Sequence, residues 1–150
     1  MWMARRILAI LLLAMAAGQL SNPAGFVDAL EAYELGGRTA AWALAVSIML
    51  AEVVSGVGLV RRGGIVRQVA PGVAVAVAVG WTILGTQAFV RGLAVDNCGC
   101  FGVHLAQPLR WWVLLEDAEF VALAWWVRRK DVSAASNHPA DLLVTDGAAH

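Results

Sequence analysis

Three uninterrupted apolar runs decide what this chain can become. Residues 7–27 carry no charge, residues 39–60 carry one, Glu52, and residues 69–90 carry none. A helix needs about 20 predominantly apolar residues to cross a bilayer, with a range of roughly 17–25. A fourth segment, 111–127, is shorter and holds Glu116, Asp117 and Glu119; it qualifies by the smallest margin. The third run contains an alternating Val-Ala stretch with the period of a strand, but it is too long for an ordinary strand and reads as helix. Gly72, Ala76 and Gly80 then share one face, where small side chains let helices approach closely. The first run also has the layout of a signal peptide: Arg5-Arg6, an apolar stretch, then small residues.

Composition agrees with the runs. The 150 residues are 60% hydrophobic and 15% charged, where soluble domains average roughly 45–50% and 25%. So few charges cannot cover so much apolar surface in water, which argues against a soluble enzyme or a disordered linker. Net charge is zero, with no basic run to grip phosphates, so no nucleic-acid partner is expected. The expectation is an all-α integral membrane protein, a four-helix bundle over residues 1–130 surrounded by lipid. Residues 131–150, rich in Ala, Asp and Ser and lacking periodicity, read as a mobile tail.

Placement of the basic residues orients the bundle. With a cytoplasmic N-terminus, Arg5, Arg6, Arg61, Arg62, Arg67, Arg128, Arg129 and Lys130 lie inside, and Arg38, Arg91 and Arg110 outside. Eight against three puts both termini in the cytoplasm of a multi-pass inner (plasma) membrane protein. Segments 21–38 and 91–110 then face out. Trp111-Trp112 and Trp125-Trp126 bracket the fourth span, and Trp42 lies near the outer end of the second, as an aromatic belt requires. Trp81, mid-span, reads as core.

The outer segment 91–110 holds the chain's two cysteines, in Asp96-Asn97-Cys98-Gly99-Cys100-Phe101-Gly102-Val103-His104. Disulfides persist on that side of the membrane. The two thiols can bridge if the backbone bends, and Gly99 permits the bend. A ring this small is strained, which favours exchange over permanence. Gly102 keeps the loop tight. Asp96 would raise a thiol pKa, and Arg91 would oppose it if the loop folds back. The more exposed cysteine is expected to attack and its neighbour to resolve. Competing readings are a static bridge, an inert pair, and a soft-metal site of copper(I) or zinc on Cys98, Cys100 and His104.

Intramembrane carboxylates form a second constellation. An ionised carboxylate in hydrocarbon costs at least about 2.5–3.5 kcal/mol on insertion scales, so Glu52, Glu116, Asp117 and Glu119 should face the bundle interior, a partner or water. Glu52 should turn inward with Ser55 and Gly56. Glu116 and Glu119 share a face and Asp117 points about 100° away; Arg91 and Arg110 are the nearest plausible cations. The alternative is that Glu116 and Glu119 sit shallow and wet.

Four stretches together resemble the DoxX-like membrane superfamily, and more closely its MauE (methylamine-utilisation) branch. They are AAGQLSNPAGFVDALEAYEL, LAEVVSGVGLV with Glu52 and Gly56, RGLAVDNCGCFG, and LRWWVLLEDAEF. The likeness covers roughly residues 5–130, and Cys-Gly-Cys-Phe-Gly is its most specific part. One departure stands out: where the family pattern has Arg before Asp, this chain has Glu116 before Asp117, which removes an internal cation. The resemblance implies a DoxX-like four-span protein of thiol redox that accompanies an extracytoplasmic thioredoxin-like partner. In the methylamine system such a protein serves maturation of a disulfide-rich dehydrogenase subunit. Cys98 and Cys100 would carry the exchange, as a thiol–disulfide oxidoreductase component, with Gly99, Phe101, Gly102, Glu52, Asp117 and Arg91 in support. No cofactor is called for, a quinone being left open. Metal handling and a non-catalytic membrane subunit of a larger complex are the rival functions.

Overall fold

The computed structural model describes residues 2–61 and 63–136. These form five helices: α1 (Trp2–Ser21), α2 (Pro23–Glu31), α3 (Gly37–Val60), α4 (Ile65–Val90) and α5 (Trp111–Ser136). No strand occurs among the described residues, so the Val-Ala alternation is helical. Three helices are long and apolar enough to cross a membrane: α1, α3 and α4. The fourth expected span is a 26-residue helix, but α5 does not reach the same apolarity, because Glu116, Asp117 and Glu119 occupy its first half and Arg128 to Asp131 its second.

The expected first span, 7–27, is broken. Asn22 closes α1 and caps α2: its side-chain Oδ1 accepts from the Gly25 N–H at 3.0 Å, with Pro23 at the first helical position. Asn as N-cap followed by Pro restarts the helix in a new direction. α2 therefore lies across the end of α1 and packs on α3, bringing Phe26, Val27 and Leu30 into the core. The stripe Leu8, Leu12, Met15, Ala16 and Gln19 buries α1 in the same core. The expected tail begins too early, since α5 runs on through Asp131 to Ser136. Its remainder, and Arg62, lie outside the described residues.

α3 packs on α1 and α4, and α5 packs mainly on α4, touching α1 only sparsely. Close approach comes from glycines other than those expected. A Cβ on Gly56 would meet the Leu13 side chain at 2.7 Å, and one on Gly58 the Val66 carbonyl oxygen at 2.7 Å. Gly72 and Gly80 have open space where a side chain would go, and Ala76 is exposed. The buried face of α4 is instead Ala70, Ala74, Val77, Ala78, Trp81, Gly85 and Ala88. α5 presents Val113, Asp117, Ala124 and Val127, one stripe at helical spacing.

Ion pairs mark the two ends. At one, Arg5 pairs with Asp131 and donates to the Leu59 carbonyl at 3.3 Å, joining the start of α1 to the ends of α3 and α5. At the other, Arg38 pairs with Asp28 and Glu31 at 2.8 and 2.9 Å, and Arg91 with Glu34 at 2.6 Å. The cysteines lie at this second end. Trp42, Trp111, Trp112, Trp125 and Trp126 are exposed while Trp81 is 3% exposed and belongs to the core.

Candidate functional site

The segment between α4 and α5 folds back into the helices rather than standing clear of them. It is pinned by Cys98 N–H to the Gln107 carbonyl at 2.8 Å and Leu109 N–H to the Val95 carbonyl at 2.9 Å. Asn97 organises the turn, accepting from Gly99 N–H and donating to the Gly102 carbonyl, both at 3.0 Å. Gly99 and Gly102 adopt φ of +84° and +67°, a left-handed backbone that L side chains rarely take. Gly102 and Gly18 of α1 meet backbone to backbone, and a Cβ on Gly18 would overlap the Phe101 carbonyl. The Phe26 ring covers Gly99 and stacks at a tilt on Trp81, centroids 6.3 Å apart.

Both cysteines are consequently drawn into the protein. Cys98 is 3% exposed and Cys100 half-buried, where the sequence suggested an exposed loop. Their Sγ atoms lie in contact 3.5 Å apart, against the ~2.05 Å of a disulfide bond. The contact polarises the pair. The Cys98 thiol is held below the ordinary range by its hydrogen bond with Cys100. The same contact, with burial, pushes Cys100 well up. Acidity thus selects Cys98 as the thiolate, while exposure alone would have selected Cys100. The thiolate is the nucleophile.

Two side chains that the sequence did not single out hold the loop by its carbonyls. The Tyr33 hydroxyl donates to the Cys98 carbonyl at 2.9 Å, and burial pushes its pKa up, keeping it a phenol and a donor. The Gln19 amide nitrogen donates to the Cys100 carbonyl at 3.0 Å and to Glu52 Oε1 at 3.2 Å. Trp81 Nε1 donates to the same Glu52 oxygen at 3.1 Å. Glu52 is fully buried with Ser55 and Gly56, as its spacing required. Gln19 Oε1 and Glu52 Oε2 are buried without a hydrogen-bond partner.

The remaining expected residues divide. Asp117 is 7% exposed and sits over Gly85, whereas Glu116 and Glu119 are exposed. Glu116 accepts from Gln107 at 3.1 Å. The expected cations do not serve these acids: Arg91 goes to Glu34 and the Tyr33 carbonyl, and Arg110 lies over the Trp112 ring. Nor does Arg91 fold back onto the thiols. His104 is exposed, with Nε2 2.6 Å from Ser21 Oγ. Among the described residues no three His, Cys, Asp or Glu side chains come together to hold a metal ion, so Cys98, Cys100 and His104 are not gathered as a soft-metal site.

Beside the thiols is a cavity of about 270 Å³. Met15, Trp81, Cys98, Cys100, Glu116 and Asp117 are among its walls. It is a mostly apolar recess with the two sulfurs on one wall and the carboxyls of Glu116, Asp117 and Glu119 along α5.

No curated protein and no solved structure matches this chain. The model of the family described as methylamine utilisation protein MauE matches residues 1–128. That span takes in the three helices long and apolar enough to cross a membrane, the Glu52 network and the Cys-Gly-Cys loop, and the chain is a membrane protein that belongs to the MauE family.

Proposed function

We propose that the protein exchanges disulfides through Cys98 and Cys100, serving the maturation of an extracytoplasmic protein by way of a thioredoxin-like partner. The observation that carries this reading is the contact of the two sulfurs at 3.5 Å on the wall of an open cavity. The pair passes its disulfide to the partner: a partner thiolate attacks Cys98 Sγ, the Cys98–Cys100 bond breaks and Cys100 takes up a proton, leaving a mixed disulfide on Cys98. The partner's second thiolate then resolves it, so that the partner leaves as a disulfide and Cys98 is freed as the thiolate, which runs the same steps in reverse on an oxidised partner. Glu52, Gln19 and Tyr33 act as positioning residues by fixing the carbonyls that flank the pair. Methylamine metabolism is the process that the family's description suggests.

The arrangement in the membrane belongs to the same proposal. α5 crosses as a fourth span to complete a DoxX-like bundle, with Asp117 turned inward. The Arg5–Asp131 pair supports termini on one side. The basic bias makes that side cytoplasmic and the thiol side external.

Trapping in intact cells tests the exchange. Cys100→Ser should accumulate a mixed disulfide through Cys98, and Cys98→Ser should not. Full function in both single variants would leave only a non-catalytic membrane subunit.

A further inference from the structure

The chain has two cysteines and therefore one redox pair. A pair that takes or gives a disulfide at one partner must be reset by a second, and no other dithiol in the chain can do it. The cavity shows where a second reactant reaches the sulfurs. It runs from the thiols between α1 and α5, past Phe120, to Leu11 and Leu123. Leu11 lies ten residues from the Ser21 end of α1, about 15 Å at 1.5 Å per residue. Its far end is therefore well inside the apolar part of α1. α1 and α5 touch only sparsely along this side, so the recess opens between helices toward lipid.

Size and lining narrow the ligand. The volume of about 270 Å³ is just below the roughly 300–1,000 Å³ of drug-sized sites, which suits one ring and leaves a long tail outside. The ring's surroundings are mostly apolar, from Met15, Trp81 and Phe120, with polar groups supplied by Gln107 of the loop and by Glu116, Asp117 and Glu119 along α5. A reactant that arrives through lipid, presents a flat apolar head with oxygens at its edge and takes two electrons has the chemistry of a quinone.

We infer that the cavity between α1, α4 and α5 binds a membrane quinone, which reoxidises the Cys98–Cys100 dithiol. This inference rests on the thiol-exchange reading above. In the step, two S–H bonds break and one S–S bond forms. Two electrons and two protons pass to the quinone, whose two carbonyls become the hydroxyls of a hydroquinone. Asp117 and Glu116, on the cavity wall, are placed to carry the protons.

The experiment uses the full-length protein in nanodiscs, reduced and freed of reductant, with decylubiquinone as the probe and oxidised glutathione as a control oxidant. Loss of quinone absorbance and loss of alkylatable thiols are followed together. Consumption of one quinone per protein with disappearance of both thiols is expected. Leu123→Trp, which fills the lipid end without touching the sulfurs, should slow quinone reduction by roughly tenfold or more, as displacement from reacting distance does, and leave oxidation by glutathione disulfide unchanged. Leu11→Trp, on the opposite wall, repeats the test should the first variant fail to assemble. Oxidation by glutathione disulfide but not by quinone would overturn the inference and leave thiol exchange standing. Unchanged quinone rates in both tryptophan variants would also overturn it. Resistance of the thiols to both oxidants would sink the thiol-exchange reading and the inference with it.

Discussion

Gln19 on α1 and Glu52 on α3 are joined 3.2 Å apart in the buried core, and the same Gln19 amide reaches the Cys100 carbonyl at 3.0 Å. One side chain thus connects a buried carboxyl to the thiol loop. Glu52 Oε1 accepts from both Gln19 and Trp81, which offsets part of the cost of burying an acid, while Glu52 Oε2 and Gln19 Oε1 stay unpaired.

Glu52→Leu removes the acceptor for both Gln19 and Trp81. Each donor left buried without a partner costs about 1–3 kcal/mol, so thermal unfolding in detergent should fall clearly below that of the parent. Glu52→Gln keeps an oxygen at the same place and should be milder in stability and in exchange rate. Equal loss of exchange in the two variants, with the Gln protein well folded, would assign the carboxyl a charge or proton role instead.

Tyr33→Phe tests the other tether. Without the hydroxyl, the Cys98 carbonyl loses a donor at 2.9 Å, a loss of about 1–3 kcal/mol at a buried site. Alkylation of Cys98 should become faster as the loop loosens. An unchanged melting temperature together with an unchanged alkylation rate would show that the tether contributes nothing.

Gly18→Ala and Gly102→Ala address the seating of the loop on α1. Either methyl must enter the backbone contact between the two glycines, and overpacking of this kind costs typically 1–3 kcal/mol, about the same whichever partner is enlarged. Gly102 also holds φ of +67°, so its variant should be the worse of the two. Gly72→Ala, which meets nothing within 4 Å, is the matched control and should melt with the parent.

Much of this was legible beforehand, and the failures have physical causes. Apolar length identified three helices long enough to cross a membrane, and helical spacing turned Glu52, Ser55 and Gly56 inward together. Counting apolar residues overlooked Asn22-Pro23, whose cap and fixed φ break the first run although neither residue is charged. The small-residue stripe Gly72, Ala76, Gly80 was a valid pattern on the wrong face, because spacing does not say which face a neighbour covers. The 100° turn per residue also separates Asp117 from Glu116 and Glu119, and the structure accordingly buries Asp117 and leaves the other two exposed. Gln19 and Tyr33 carried no signal as site residues, since their roles depend on the loop folding back across the helix ends.

The acidity of Cys98 gives a pH prediction. A thiol lowered by its neighbour's hydrogen bond reaches the thiolate, the reactive form, at a lower pH than an unperturbed cysteine. Alkylation of the first thiol should therefore level off at lower pH than that of an unperturbed cysteine, and Cys100→Ala, which removes the hydrogen-bond partner, should shift the profile upward. A first thiol that titrates like free cysteine in both proteins would refute the assignment of Cys98 as the nucleophile.

Reporter fusions at Gly64 and Gly102 test the orientation. An internal signal from Gly64 and an external one from Gly102 are expected from the basic bias. An external signal from Gly64 would invert the membrane arrangement and place the thiols in the reducing compartment.

The central claim is that Cys98 and Cys100 form one reversible redox pair. Counting alkylatable thiols by intact mass, before and after mild oxidation of the full-length protein, tests it most directly. Two adducts on the reduced protein, none on the oxidised protein and no change in oligomer size are expected. Two adducts after oxidation, or loss of thiols only through covalent dimers, would contradict it.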